Sequence, residues 1–358
     1  MIRSASFQNF RGFQHLELPD LAQITLLSGK NNAGKSTVLE GLFLLVDYSD
    51  PMCFEKISNF RNLPVIPDFD ILWKPFFYQL DADQPIQISA RLEHDTELTY
   101  YREDSYSPLP QDFKGMTPDV MNRFMSSAKS GYTLGLKLTQ KESSYEETGH
   151  FVAAPDGFAV NMNTNLPDNQ KVVMPFTQMI NSRITAFYSP VEQFGKLELD
   201  GRKSEILDIL KKMDPAISDI TVITTNGQTQ LYGNMGGKLL PMRLAGDGMN
   251  RLLIIMLSIM ENPNSIILID EIENGFHYSM FPMIWEVIAN AAQKSNSQVI
   301  ATTHSYECVA GAIEGIDKAD MKDDFCFFRL AQEEAGRVAY RYSKDLLQYA
   351  LESDVEVR

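Results

Sequence analysis

Gly29-Lys30-Asn31-Asn32-Ala33-Gly34-Lys35-Ser36-Thr37 is the stretch on which the reading of this chain turns. It fits the pattern Gly-x-x-x-x-Gly-Lys-Ser, and its flanks are the ones that pattern needs. Ala22 to Leu27 is short and apolar enough for a buried strand, and Val38 to Leu45 reads as a helix with few polar positions. Gly29 and Gly34 let the backbone curl so that successive N–H groups point inward at an anion. The start of the next helix adds unpaired N–H groups and its positive dipole end. In such a cradle Lys35 reaches the β- and γ-phosphates of a nucleotide, and the Ser36 hydroxyl joins the shell of a Mg²⁺ ion. Asn31, Asn32, Ala33 and Thr37 complete the nucleotide-binding set.

The whole chain sets bounds around that loop. Its 358 residues carry a net charge of −15, with 44% hydrophobic and 22% charged residues, which describes a protein able to bury a large core. The negative charge gives no electrostatic support to a general nucleic-acid binder, so any DNA contact needs a local basic patch or a partner. Cys53, Cys308 and Cys326 are too scattered for a metal-ligand spacing and read as buried apolar residues in a reducing compartment. The most apolar run, Leu252 to Leu257, is too short to span a bilayer, and the N-terminus begins with strand-like sequence. A cytoplasmic location is expected.

Outward from the loop, residues 1–28 suggest two strands around a turn and then the strand that enters the cradle. Arg11 in that turn is either a nucleotide contact from the side or a surface arginine of a hairpin. Residues 50–80, rich in Pro and aromatic residues, read as a short helix and loops. Strand-like runs follow at Pro85–Leu92, Glu97–Tyr101, Tyr132–Thr139 and Gly157–Val160, with polar loops at Arg102–Pro110 and Gln140–Thr148 between them. This pattern predicts an antiparallel β lobe. Ile184–Tyr188 reads as a buried strand closed by Ser189-Pro190, Ser204–Met213 as a helix, and Ile217–Thr225, Thr229–Tyr232 and Lys238–Leu244 as strands.

Three further pieces lie in the last third. Leu244-Ala245-Gly246-Asp247-Gly248-Met249-Asn250-Arg251 is a glycine turn opening an apolar helix over Leu252–Met260, which again presents free N–H groups. Ser265-Ile266-Ile267-Leu268-Ile269-Asp270-Glu271 is a parallel strand ending in two carboxylates. At that edge Asp270 can hold Mg²⁺ and Glu271 can polarise the water that attacks the γ-phosphate. After a helix over Ser279–Lys294, the strand Gln298–Thr303 delivers His304, whose imidazole can hydrogen-bond the γ-phosphate.

In this order and spacing the motifs resemble an ABC-type ATPase head of the SMC/RecF class. They are most similar to the OLD-type (overcoming-lysogenisation-defect) AAA-family ATPases. Asn9-Phe10-Arg11-Gly12, the phosphate loop, Gly246-Asp247-Gly248-Met249, Asp270-Glu271-Ile272-Glu273-Asn274-Gly275-Phe276-His277 and Thr302-Thr303-His304-Ser305 carry the resemblance. It implies an α/β P-loop NTPase fold of ABC-ATPase type with an inserted antiparallel β lobe and helical segment. The whole of 1–358 would form one head. Its parts would be 1–50, the start of the nucleotide core; 51–183, the inserted segment and lobe; and 184–358, the signature helix, Asp-Glu strand, His strand and C-terminal cap.

The resemblance also implies ATP and Mg²⁺ as cofactors, and a head-to-tail homodimer or larger homo-oligomer. In it Gly246, Asp247 and Gly248 act in trans on the partner's nucleotide, and Glu273, Asn274 and His277 lie in the loop that crosses the dimer. Ala245 stands where those heads place a signature serine, so that hydroxyl is missing. The glutamine that contacts magnesium is one of Gln79, Gln84 or Gln87. The residues after His304 are too few for the nuclease domain that often follows the head, so a separately encoded effector, a nuclease or a toxin, is expected. DNA repair or anti-phage defence is the implied setting. A non-hydrolytic ATP-bound scaffold and a small-molecule kinase are the rival readings. The kinase has no use for the glycine turn before the Asp-Glu strand.

Overall fold

Period-two alternation sets the N-terminal hairpin. In β1 (Ser4–Phe10) and β2 (Phe13–Leu18) the buried positions are taken by Ala5, Phe7, Phe10, Phe13, Leu16 and Leu18, while His15 and Glu17 face solvent. β3 (Ile24–Gly29) is buried at every position, the mark of a strand covered on both faces. The computed structural model describes residues 1–61, 63, 69–103, 119, 121–122, 133–140, 145–154, 157–164, 173–181, 189–334, 336–353 and 356–357. The strand expected over 184–188 and most of the loop expected over 102–110 lie outside these residues.

The hairpin joins the lobe. β1 pairs antiparallel with β4 (Ile86–Arg91), and β5 (Asp95–Arg102), β6 (Thr133–Gln140), β7 (Tyr145–Ala154) and β8 (Gly157–Thr164) extend the sheet. The order is β2-β1-β4-β5-β6-β7-β8. β7 starts inside the stretch expected to be a loop. Its buried face carries Tyr145, Glu147, Gly149 and Phe151, so a glutamate and a glycine interrupt the apolar period. Glu147 is tolerated there because Tyr48 and Tyr145 both donate to its Oε2, at 2.6 and 2.7 Å.

The second sheet is the nucleotide core. β9 (Thr177–Ile180), β13 (Ile266–Ile269), β14 (Gln298–Thr302), β15 (Phe325–Glu333) and β16 (Gly336–Tyr342) join β3 in the order β16-β15-β3-β14-β13-β9. All pairings are parallel except that of the edge strand β16. Thr177–Ile180 therefore belongs to this sheet, although it falls in the stretch assigned to the lobe. β10 (Ile217–Thr225), β11 (Gln228–Met235) and β12 (Lys238–Pro241) form a separate three-stranded sheet. The last of these stops at Pro241, short of the expected Leu244.

Alternation along the parallel strands divides the core in two. Leu27, Ile266, Leu268, Ile300, Cys326 and Phe328 face one core, shared with the lobe, α1 (Lys35–Val46) and α2 (Cys53–Phe60). Ile24, Leu26, Ile267, Ile269, Val299 and Ala301 face the other. This second core is completed by α3 (Pro190–Leu199), α4 (Lys203–Met213), α5 (Asp247–Met260), α6 (Phe281–Ser295), α7 (Tyr306–Lys318) and α8 (Lys344–Glu352). Ser189-Pro190, expected to follow a strand, opens a helix. Ser189 caps α3, accepting from the Glu192 N–H, and Pro190 fills the first helical position, where a missing N–H costs nothing.

Candidate functional site

β3, β14 and β13 end side by side at one edge of the parallel sheet, and each delivers part of the site. β3 opens into the glycine loop, β13 into Asp270-Glu271, and β14, between them, ends at Thr302. Gly29 holds φ 145°, and a Cβ there would stand 2.4 Å from the Leu330 carbonyl oxygen on β15. Gly34 holds φ 103° and has Phe13 ring carbons 2.5 Å from where its Cβ would be. Both positions demand glycine. Gly34 is the N-cap of α1, which no side chain caps, so the first N–H groups of the helix face outward for a ligand.

The Lys35 Nζ folds back over the loop, donating to the carbonyls of Gly29 at 2.7 Å and Lys30 at 3.2 Å. Burial lowers its pKa, while Asp270, Glu273 and Glu271 oppose that shift. Ser36 Oγ donates to Asp270 Oδ1 at 3.0 Å, and Thr302 Oγ1 donates to the same oxygen at 2.6 Å. Burial raises the Asp270 pKa, and these two hydroxyls pull it back. Ser36 and Asp270 thus present two hard oxygen donors in direct contact, a set that fits Mg²⁺, which takes one or two protein oxygens and completes its shell with phosphate and water.

Glu271 sits in the left-handed region at φ 49°, which costs a non-glycine residue about 1 kcal/mol. Its backbone N–H donates to Thr302 Oγ1 at 2.8 Å, and its Oε2 accepts from Asn274 Nδ2 at 2.7 Å. Arg251, from the first turns of α5 and fully buried, holds this bend. It donates to the carbonyls of Asp270 (2.7 Å), Glu271 (2.9 Å) and Asn181 (2.8 Å).

A cleft of about 800 Å³ gathers most of the expected residues: Asn31, Asn32, Gly34, Lys35, Ser36, Thr37, Asp270, Glu271 and Arg11. Ala33 is buried and lines a smaller neighbouring cavity against β15. Arg11 is a wall residue of the cleft and not a surface arginine: its side chain is 13% exposed, with Nε 2.7 Å from Glu40 Oε2. That N–H is not aimed at the oxygen, so the contact is Coulombic. Arg61 takes the other oxygen of Glu40 in a true hydrogen bond of 2.5 Å.

His304 is placed differently. Its ring is half exposed, and Nδ1 lies 2.7 Å from Glu273 Oε1, which also accepts its backbone N–H at 2.8 Å. It does not line the cleft.

Gly246, Asp247 and Gly248 also lie outside the cleft. Gly246 and Asp247 are exposed, and Gly248 packs on the turn that follows Glu271. A Cβ on Gly248 would meet the Gly275 carbonyl oxygen at 2.4 Å, so the glycine turn and the loop after the Asp-Glu strand form one surface. None of Gln79, Gln84 and Gln87 lines the cleft, and Gln79 is spent on the Tyr78 hydroxyl.

Three cleft residues were not anticipated. Arg61 ends α2, Gly12 lies in the first hairpin, and Arg337 comes from β16, three hundred residues along the chain from the loop it touches. Arg337 Nη2 donates to the Asn32 carbonyl at 3.0 Å, and its guanidinium carbon lies 5.6 Å from the Phe13 ring centroid. No local pattern marks Arg61 or Arg337. Arg251 did carry a signal: a lone arginine ahead of an unbroken apolar helix calls for a buried acceptor.

The family profile described as "AAA domain, putative AbiEii toxin, Type IV TA system" matches residues 126–310, and one described as "AAA ATPase domain" matches residues 1–63. The chain is 25% identical over 369 aligned residues to the "ATP/GTP phosphatase" of Helicobacter pylori, covering 99% of both proteins. It is 48% identical over 153 residues to the uncharacterized protein MJECL10 of Methanocaldococcus jannaschii, covering 42% of this chain and 61% of that one. Among solved structures it is similar to an Smc head bound to the C-winged helix domain of ScpA, with a TM-score of 0.51, 12% identity, and coverage of 96% of this chain and 98% of that chain. An Smc head with an extended coiled coil, bound to the C-terminal domain of ScpA derived from Pyrococcus furiosus, gives 0.50 at 11% identity with 99% of both chains covered. At such identity the likeness concerns the fold, which is a mixed α/β P-loop head of the ABC/SMC type with antiparallel β lobes.

Proposed function

This chain belongs to the AAA-domain family, and on that premise we propose that it is an ATPase that pairs head-to-tail on ATP and gates a separate effector. The observation that carries the reading is the meeting of Lys35 and Ser36, beyond the tip of β3, with Asp270 and Glu271, beyond the tip of β13, in one cleft. The full-length likeness to an ATP/GTP phosphatase supports hydrolysis.

With ATP in the cleft, the Lys35 ammonium exchanges the carbonyls of Gly29 and Lys30 for phosphate oxygens. The N–H groups of residues 31–36 surround the same charge. Ser36 and Asp270 would hold Mg²⁺, which supplies neutralisation of the charge on the β- and γ-phosphates. Glu271 accepts a proton from the attacking water as that water approaches the γ-phosphorus, and the leaving ADP takes the electron pair of the broken P–O bond. Asn274 holds the Glu271 carboxylate until substrate arrives.

The glycine turn supports pairing. Its helix end is exposed and uncapped, it is fused to the loop that follows Glu271, and it stands apart from the cleft of its own copy. A second copy brings Gly246–Gly248 to the first copy's nucleotide, and His304, held by Glu273, hydrogen-bonds the γ-phosphate through its free Nε2. The order of the motifs supports an OLD-type relationship, with DNA repair or anti-phage defence as the setting, and the likeness to a family described with a toxin system supports a toxin as the effector. Phosphate release under steady-state conditions tests the core of this reading. Turnover that Glu271→Gln lowers by about 10²-fold or more is expected, and turnover that the substitution leaves largely intact, or the absence of any turnover in the native chain, contradicts the reading.

A further inference from the structure

A second cavity, of about 480 Å³, opens on the far side of the second core, between α4, the last turn of α5 and α6. It shares no residue with the nucleotide cleft. Its floor is apolar, formed by Ile209, Met260, Val287 and Ala291. Its size lies within the range of small-molecule sites, roughly 300–1,000 Å³.

One wall of the cavity is Glu261, and this carboxylate is badly placed for a structural acid. Its side chain is only 6% exposed, and its Oε1 is sealed with no hydrogen-bond donor. It is also the C-cap of α5, where the helix dipole is negative and a cation is preferred. Burial raises its pKa, Asp200 adds to the rise, and Arg202 opposes it.

Lys196 also opposes the rise, without a direct contact, and the cations that line the cavity are engaged elsewhere. Arg202 comes no closer to Glu261 than 3.9 Å, because its Nη1 donates to the Met260 carbonyl at 3.1 Å and its Nε to Glu205 at 3.1 Å. Lys294 is held by Glu205 at 2.7 Å, and Lys212 lies 3.6 Å from Glu286. A carboxylate oxygen sealed from water without a direct donor is unfavourable, and a bound cation is one way to satisfy it.

We infer that this cavity is a binding site for a small organic cation, a primary amine or guanidinium on a short apolar body. Its head would pair with Glu261 and its body would lie on Ile209, Val287 and Ala291. The inference rests on this geometry alone and does not depend on the ATPase reading.

The test uses the full-length chain without nucleotide, titrated with 2-phenylethylamine and, separately, with 2-phenylethanol, which has the same shape and no charge. Binding is read by calorimetry and ligand-detected NMR. The amine should bind about tenfold more tightly than the alcohol, or more. Glu261→Gln should reduce the amine to the affinity of the alcohol, and Ala291→Trp, which fills the floor, should remove both. Far-ultraviolet circular dichroism checks that each variant is folded, and Ala291→Ser replaces Ala291→Trp if the latter unfolds, with weakened binding of both probes expected. Equal affinity for the two probes, an amine preference that survives Glu261→Gln, or no binding of the amine at millimolar concentration overturns the assignment.

Discussion

The phosphate-loop half of the site and the glycine-turn half differ in how complete they are within one copy of the chain. Around Lys35 the polar groups are already engaged: the lysine with loop carbonyls, Ser36 and Thr302 with Asp270, and Glu271 with Asn274. The turn at Gly246–Gly248 presents an uncapped helix end to solvent, beside Leu244, which is 73% exposed. The first half is closed on itself within one copy, and the second presents an exposed surface, the one proposed to meet a second copy. Arg251 joins them, since it rides on the helix that the turn opens while gripping the backbone of Asp270 and Glu271.

Substitutions put that contrast to the test. The largest effect belongs to the cleft: Glu271→Gln should lower turnover by about 10²–10⁴-fold while ATP still binds, as read by phosphate release together with nucleotide titration. Next is the joint itself. Arg251→Met orphans carbonyls at roughly 1–3 kcal/mol each, so the variant should lose about 3 kcal/mol of stability in denaturant titrations and should also lose turnover. A variant with native stability would show that the two halves are not tied through this residue.

Gly248→Ala probes the turn alone. The added Cβ meets the Gly275 carbonyl oxygen at 2.4 Å, so the surface formed by the two loops has to shift. Turnover should fall by about tenfold or more while the single-copy affinity for ATP is unchanged. An equal loss of ATP affinity would place the turn in the same copy's cleft and erase the contrast. Arg337→Ala should have a smaller effect, raising the KM for ATP by about three- to tenfold at similar kcat, because the residue steadies the loop from β16 and has no part in the chemistry.

The smallest effect concerns stability without nucleotide. The folded pKa of Asp270 is raised, so the unfolded chain releases this proton at lower pH than the folded chain does. Its contribution to stability therefore falls as pH rises from the ordinary carboxylate value through the raised one, and above that the folded state carries an unfavourable buried charge. Asp270→Asn should accordingly raise the melting temperature at neutral pH while abolishing turnover. A lowered melting temperature would mean that the two hydroxyls outweigh burial.

The same contrast explains what could be read without coordinates. The loop at 29–37, the carboxylates at 270–271 and the turn at 246–248 are local patterns fixed by backbone geometry, and each falls at the strand tip or helix start expected of it. Arg61 and Arg337 were invisible, because a cleft wall assembled from distant segments leaves no spacing to read. β7 was missed for a different reason: Glu147 occupies a core position and breaks the apolar period, and only the tyrosines at 48 and 145 make that position tolerable. Ser189-Pro190 reads in the sequence as the end of a strand; a serine followed by proline also starts a helix, and Phe194 and Leu197 are buried on the one that follows.

The central claim is that ATP held at Lys35 is completed by Gly246–Gly248 of a second copy. Light scattering of Glu271→Gln, with saturating ATP and with none, tests it most directly. The account predicts twice the single-chain mass with ATP and a return to the lower mass when ATP is replaced by ADP. A mass that is the same in all three conditions, with ATP binding verified, would contradict it.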